Sequence, residues 1–251
     1  MLAFVIATVV TILSTLKTGT TMTTNTKPSS IKLTYFDIEG AAEPTRLALT
    51  LSGTPFEDVR VKFPDWAALK PTTPYGQLPL FQVDNDPVRT QSMAMLRWVG
   101  TTLSDTLYPA DKLLDVEEAL GVVEDMEKSW QPAFYMGMRP ANFGRPDGFQ
   151  NTDEGKAVVQ EMREQWIQTK LSVHVEYLEN LLKKNNGKWL ASTDAPTIAD
   201  CKAIVFLRAL TRGHVDFVPA DCLDKHAVIV DYIKRFCALE LIKGRYTSGI
   251  C

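Results

Sequence analysis

The stretch that decides the fold is Ile31-Lys-Leu-Thr-Tyr-Phe-Asp-Ile-Glu-Gly-Ala-Ala-Glu-Pro-Thr-Arg46. Its first half alternates. Ile31, Leu33 and Tyr35 fall on one face and Lys32, Thr34 and Phe36 on the other, the period-two pattern of a strand. Its second half opens a helix, because Pro44 suits a first helical turn, where its missing N–H costs nothing. Leu47, Leu49 and Leu51 carry that helix's apolar side, and Gly53 is its C-terminal stop. A second strand is expected over residues 58–62. Strand, helix and strand at this spacing make a parallel βαβ unit with a right-handed crossover. Tyr35 stands where the first strand ends, at the mouth of the strand-to-helix turn, with neither histidine nor metal ligand beside it.

Downstream, Leu78-Pro-Leu-Phe-Gln-Val83, the turn Asp84-Asn-Asp-Pro87 and Val88-Arg-Thr90 read as a hairpin. Pro79 has no N–H to give, so it belongs at an edge position or in a cis turn, not in a central ladder. Ser92 opens a helix through Met93, Leu96, Trp98 and Val99. The order to this point is βαβ–ββα.

After Tyr108-Pro-Ala110 the periodicity is almost entirely helical. One stripe runs Val116, Leu120, Val123, Met126, Trp130. Another runs Val158/Val159, Met162, Trp166, Val173, Tyr177, Leu181. Between them "PAFYMGMRPANFGRPDGFQNTDEG" is expected as a long loop, and its length argues for a task. Thr197-Ile-Ala-Asp200 has the makings of a capping box, with aspartate in place of glutamate. Short helices are expected over residues 231–236 and 239–243.

The 251 residues suffice for one large domain or two small ones with cores of their own. With 45% apolar and 23% charged residues, the composition is that of an ordinary soluble chain. A net charge of -3 and the lack of a basic stripe with interleaved aromatics argue against a nucleic-acid partner. Cys201, Cys222, Cys237 and Cys251 form no CxxC pair and are too sparse for a disulfide framework, so all four are expected as reduced thiols. His174, His214 and His226 lack metal spacing, and no metal is expected.

Residues 1–30 are expected as a leader or disordered N-terminal segment. The apolar run "LAFVIATVVTILSTL" from Leu2 is short for a membrane span and resembles a signal-peptide core, though no Lys or Arg precedes it. A polar stretch follows, and Met22 lies just ahead of the folded part. Three readings stand: a cleaved or targeting leader, an upstream extension of a chain that starts at Met22, and a retained anchor. A start at Met22 or a leader without function gives a cytoplasmic protein; a working leader gives a secretory or organellar one. A membrane role is not expected once the leader is removed.

"KLTYF", "AEPTR", "EDVRV", "DWAALKPTTPYGQLPLFQVD" and "QSMAMLRW", in that order, resemble the sigma-like cytosolic glutathione transferases, which include the haematopoietic-type prostaglandin D synthases. The resemblance runs over about residues 31 to 250 and is strongest in the first part. It implies an α/β plus all-α fold: a thioredoxin-like βαβ–ββα glutathione-binding domain over residues 31–108, then a helical-bundle domain over 111–251. It also implies a homodimer, a role in detoxification, and conjugation of glutathione to apolar electrophiles, with glutathione as co-substrate and no cofactor.

The chemistry gives Tyr35 a purpose within that resemblance. A free thiol ionises near pH 8.5, and only the thiolate is a good nucleophile. A phenolic O–H that donates to the sulfur while staying neutral favours the thiolate. Lowering the thiol pKa by about two units takes roughly 2.7 kcal/mol of preferential thiolate binding. That contribution to rate is bounded near tenfold to a few tens, and orientation of thiol and electrophile must supply the rest. Standing alone, Tyr35 reads as an aromatic packed at a strand end.

Further roles follow from the resemblance. Gln91 and Ser92, at a helix N-terminus that attracts anions, are implied to hold the γ-glutamyl carboxylate. A cis bond before Pro79 is implied, with the Leu78 backbone pairing strand-like with the cysteinyl part of the tripeptide. Trp66, Lys70 and Gln77 are implied to reach the glycyl carboxylate. A carboxylate of the second subunit is implied at the γ-glutamyl amine, with Asp125 as candidate and Glu124 as its rival. Phe36, Phe134 and Met138, with Tyr135 and Met136, are candidates for an apolar electrophile pocket, or else core residues. The chain departs from the pattern in one place: where relatives carry arginine, it has Glu39 and Ala41. Two rival readings share these residues, a prostaglandin-type isomerase and a non-catalytic binding or structural relative.

Overall fold

The computed structural model describes residues 27–184 and 188–251, so most of the expected leader, with Met22, lies outside the described residues. The N-terminal domain is built on a three-stranded sheet of β1 (Ile31–Phe36), β2 (Glu57–Val61) and β3 (Leu80–Val83), in the order β2-β1-β3. β1 runs parallel to β2 and antiparallel to β3. The alternation in β1 is realised: Ile31 and Leu33 are buried, and Tyr35 is half-buried at the strand's end. The expected second hairpin strand shrinks to one bridge, Phe81 with Arg89, whose two N–H···O bonds measure 2.9 and 2.8 Å. In that register Pro87 stands opposite Val83, where the next rung needs a donor that proline lacks. Asp86 N–H takes the Val83 carbonyl instead, at 3.0 Å.

A 3-10 turn, Gly40–Ala42, leads into α1 (Glu43–Leu51), with Pro44 in the first turn as its ring requires. The short α2 (Trp66–Leu69) lies between two further 3-10 turns. α3 (Ser92–Leu103) packs beside α1.

The helical domain comprises α4 (Leu113–Met136), α5 (Asp153–Trp166), α6 (Ser172–Lys184), α7 (Ile198–Thr211) and α8 (Ala227–Cys237). α7 is its axis and packs on α4, α8 and α1, so one core joins both domains. The capping box at its start is present and buried. The Asp200 carboxylate accepts from Thr197 N–H (2.7 Å), Thr197 Oγ1–H (3.0 Å), Leu190 N–H (3.0 Å) and Tyr232 Oη–H (2.8 Å). Among the described residues no helix is long and apolar enough to cross a membrane.

Four expectations are corrected. α4 continues through Pro132 to Met136, which shortens the expected loop. Pro132 is exposed, and on that side of the helix the carbonyl one turn back can be hydrated. The second helical stripe does not hold its phase: Val173 and Tyr177 are exposed, while Leu171, Val175, Leu178 and Leu182 are buried. The cause is a π turn at Ile167–Leu171. It adds a residue, turning the face by about 100° and stretching the buried spacing from Trp166 to the next core residue, Leu171. Residues 239–243 form turns, not a helix. Finally, Cys237 and Cys251 are joined in a disulfide, with Cα atoms 5.3 Å apart. Searching for a dense framework misses one bond that folds a short tail back on the preceding helix. Cys201 and Cys222 are free.

Candidate active site

The site begins where β1 stops. Gly40 has φ +46°, and a Cβ there would sit 2.8 Å from the Tyr35 Oη, so only glycine lets the backbone cross the phenol this closely. The next residue, Ala41, donates its backbone N–H to that oxygen at 3.2 Å. An oxygen that accepts there keeps its own proton free for another acceptor. Because the donor is backbone, it does not depend on the side chain at 41, one of the two positions at which the chain departs from the arginine-bearing pattern.

The turn is held from beneath by Arg46, which is fully buried. Its guanidinium donates to the Ile38 carbonyl (2.8 Å) and to Asp58 (3.0 Å), pairs with Glu43 (3.3 Å), and lies 5.7 Å from the Tyr35 ring centre.

Gln91 has φ 74° and ψ 99°, a costly conformation for a residue with a side chain. Its carbonyl accepts from Ala94 and Met95 N–H at 3.0 and 3.1 Å and starts α3. Ser92 is half-buried at the N-terminus of that twelve-residue helix, where the first amides have no helical acceptor. The Leu78–Pro79 peptide is cis, as the resemblance implied.

Trp66 is half-buried, while Lys70 and Gln77 are exposed. The Lys70 stem folds over Gly76, with its Cε 3.4 Å from where a Cβ would stand, so Lys70 and the Gln77 turn are neighbours. Phe36 connects this end of the site to Tyr35. Its ring lies 5.5 Å from that of Tyr35, edge-on 5.5 Å from Trp66, and stacked at 4.8 Å on Phe63. Phe63 was not singled out from the sequence. It is 63% exposed, and only the fold brings it to this cluster.

The residues expected as a second-domain wall do not form one surface. Phe134 is partly buried against the core, with Trp130 and Tyr135 as ring neighbours. Met136 is core, packed with Phe149 and Val159. Met138 is exposed beyond the end of α4. Asp125 also faces outward from α4, 3.8 Å from Lys128, and Glu124 stands 3.7 Å from the same amine.

Glu39, the other departure, pairs across the domains with Arg212 at 3.0 Å and with Arg208 at 3.6 Å. Glu43 accepts from Arg245 (2.8 Å) and from the Tyr246 hydroxyl (3.0 Å), both in the C-terminal tail. Burial raises the Glu43 pKa, but Arg245, Arg46 and the Tyr246 hydroxyl outweigh it and hold the carboxyl below the usual range. Burial, with Glu43 beside it, pushes the Tyr246 phenol well up. These contacts were beyond sequence reading, since they join residues about 200 positions apart.

Residues 31–101 match the Glutathione S-transferase N-terminal domain, and residues 148–246 match the Glutathione S-transferase C-terminal domain. Glutathione S-transferase 1 of Ascaris suum is 34% identical over 212 residues, covering 84% of this chain and 93% of that protein. The class-mu 28 kDa glutathione S-transferase of Schistosoma japonicum is 28% identical over 222 residues, covering 87% and 97%. Among solved structures, the Ascaris lumbricoides glutathione S-transferase superposes with a TM-score of 0.63 at 29% identity, covering 85% of this chain and 94% of that one. The prostaglandin synthase D of Nilaparvata lugens gives 0.68 at 26%, covering 85% and 95%.

The thioredoxin-like domain is joined through a shared core to a helical domain, and with both halves matched the chain belongs to the glutathione S-transferase family. It is a glutathione transferase, with glutathione as a substrate. The relatives' names range from class mu to prostaglandin synthase, so they fix the family and not the class.

Proposed function

We propose that the chain conjugates the thiolate of glutathione to apolar electrophiles, in the manner of the sigma-like class, and that Tyr35 stabilises that thiolate by donating its O–H to the sulfur. The observation that carries this is the Ala41 N–H bond to Oη, because it occupies the phenol as acceptor and leaves the phenolic proton as the donor. In this reading Gln91 and Ser92 bind the γ-glutamyl carboxylate at the N-terminus of α3, and the strained Gln91 backbone is the mark of a turn shaped for a ligand. The Leu78 backbone, beside Pro79, pairs with the cysteinyl unit. Trp66, Lys70 and Gln77 take the glycyl carboxylate, with Lys70 supplying charge.

Asp125, exposed on α4, reaches the γ-glutamyl amine of a second copy in a homodimer. The electrophile lies against Phe36, with Phe63 stacked behind it, without a continuous wall from Phe134 and Met138. The step uses no metal: the sulfur lone pair forms the new bond to carbon, and the leaving group departs with the electrons. Detoxification is the matching role.

A second reading, a glutathione-dependent isomerase acting on prostaglandin-type endoperoxides, is favoured by the likeness to the Nilaparvata lugens prostaglandin synthase D. It uses the same thiolate and differs only in the electrophile pocket.

The test is to pass the purified chain over immobilised glutathione and then follow its conjugation of a generic aryl halide. Retention with conjugation is expected. Retention without conjugation would support a binding relative, and neither would remove the proposal. Conversion of an endoperoxide without aryl-halide conjugation would favour the isomerase.

A further inference from the structure

The last eight residues, 244–251, cross from the helical domain to the turn that carries the phenol. Arg208, fully buried in α7, donates to the Ser248 carbonyl (3.0 Å) and the Ile250 carbonyl (3.0 Å), and its guanidinium lies 3.6 Å from the centre of the Tyr246 ring. Thr211 Oγ1 accepts from Ile250 N–H at 3.0 Å. Gly249, at φ +75°, makes the close approach possible: a Cβ there would stand 2.8 Å from Arg212 Cγ and 3.1 Å from Thr211 Oγ1. Seated in this way, the tail presents Arg245 and Tyr246 to Glu43. Arg208 and Arg212 reach past it to Glu39. Glu39 and Glu43 therefore bracket the Gly40–Ala42 turn, and that turn holds the Tyr35 hydroxyl through the Ala41 N–H. At the far end the tail is fastened by the bond from buried Cys237 to exposed Cys251.

We propose that the C-terminal tail is a positioning element for the Tyr35 phenol, with the Cys237–Cys251 disulfide as its latch, and that glutathione itself can open the latch. The proposal rests on Tyr35 being the thiolate donor. The opening step balances with glutathione as the reductant. The thiolate of one glutathione attacks the exposed Cys251 sulfur, the S–S bond breaks, and Cys237 leaves as a thiolate and takes up a proton. A second glutathione displaces Cys251 from the mixed disulfide. The products are two protein thiols and one glutathione disulfide, whose formation supplies the two electrons. High glutathione disulfide reverses the exchange and closes the latch. The free tail lets go of Glu43, so the 39–43 turn loses its Arg245 and Tyr246 tethers while Arg208 and Arg212 still hold Glu39, and the Ala41 N–H is set less firmly.

The test uses the full chain with its disulfide intact, Cys251→Ser, Gly249→Ala, which unseats the tail while keeping the disulfide, and Cys222→Ser as a thiol control. Each is assayed by the pH dependence of conjugation, by ultraviolet titration of the bound glutathione thiolate, and by hydrogen exchange over residues 39–43. Cys251→Ser and Gly249→Ala are expected to move the bound-thiol pKa upward, lower kcat about threefold to tenfold with a smaller change in KM, and speed exchange in the 39–43 turn. Wild-type protein preincubated with glutathione should drift to the Cys251→Ser values, and Cys222→Ser should drift as wild type does. A wild-type profile and exchange in Cys251→Ser would overturn the latch. Exchange that quickens evenly through the chain, with no shift in thiol pKa, would reduce the tail to a stability element and overturn the positioning role. If the oxidised wild type conjugates nothing, the proposed function fails separately, and thiolate titration and local exchange still decide the tail.

Discussion

At the scale of single residues the structure turns on Tyr35, Gly40 and Ala41. Gly40 is the most exacting of them, because its φ of +46° and the 2.8 Å approach of a would-be Cβ to the phenol oxygen both exclude a side chain. Gly40→Ala is expected to lower kcat at least about tenfold by displacing the phenol, while costing only about 1–2 kcal/mol of stability. Steady-state kinetics and a urea melt on the same preparation check the two together. Ser92→Ala should weaken glutathione by about 1–2 kcal/mol, between the worth of an ordinary hydrogen bond and that of one to a charged group, and calorimetric titration reads it directly. An unchanged affinity would remove the anion site from the N-terminus of α3.

Much of this site was legible because its parts sit in short motifs: a tyrosine closing an alternating strand, a serine opening a helix, a proline before a strand. At Ala41 the sequence shows only a departure from the arginine-bearing pattern, because sequence reports side chains. The donor present is the backbone N–H, which no composition reveals. Phe63 escaped for a related reason, since an exposed aromatic gains meaning only from its neighbours Phe36 and Trp66.

At the scale of elements, local rules predicted most of what formed. Pro44 and Thr197 start the helices they were expected to start, and the βαβ unit pairs in parallel. Sequence reading failed where a local pattern was interrupted without a sequence mark. The π turn at Ile167–Leu171 contains neither proline nor glycine, so the stripe was carried on in α-helical phase to Val173 and Tyr177, which are in fact exposed. The expected loop begins at Pro132, but that residue lies on an exposed side of α4, where the lost bond is tolerable, and the helix runs through it.

The capping box invites a quantitative prediction. Asp200 receives four hydrogen bonds in a buried setting, so Asp200→Ala strands several donors at once. A loss of about 3 kcal/mol or more is expected, seen as a lower urea midpoint. A change below about 1 kcal/mol would mean that the box is not what fixes the start of α7.

At the scale of the whole molecule the two domains are joined by an apolar core and, across it, by Glu39 and Glu43 facing arginines of α7 and the tail. Breaking one side of a buried ion pair costs more than the pair itself contributes, so Glu43→Ala should destabilise by about 3–5 kcal/mol. Acidity acts on the same link. The Glu43 pKa is lower in the folded chain than the ordinary value of 4.5, so its contribution is complete above that value and disappears as pH falls through the lower, folded one. Urea midpoints should therefore drop on acidification below about pH 4.5, and Glu43→Gln should flatten that dependence. An equally steep fall in the variant would assign acid sensitivity elsewhere. None of this link could be read from the sequence, where Glu39 marks only a departure from the resemblance, Glu43 carries no signal of its own, and the cysteines read as reduced thiols.

The central claim is that the Tyr35 hydroxyl makes the glutathione sulfur anionic near neutral pH. The pH–rate profile of Tyr35→Phe measures it most directly. The account predicts an acidic limb displaced upward by about one to two pH units and a turnover near pH 7 lower by roughly tenfold to a few tens, with affinity for glutathione in its protonated thiol form nearly unchanged. A limb that stays where the wild type has it, at undiminished turnover, would contradict the account.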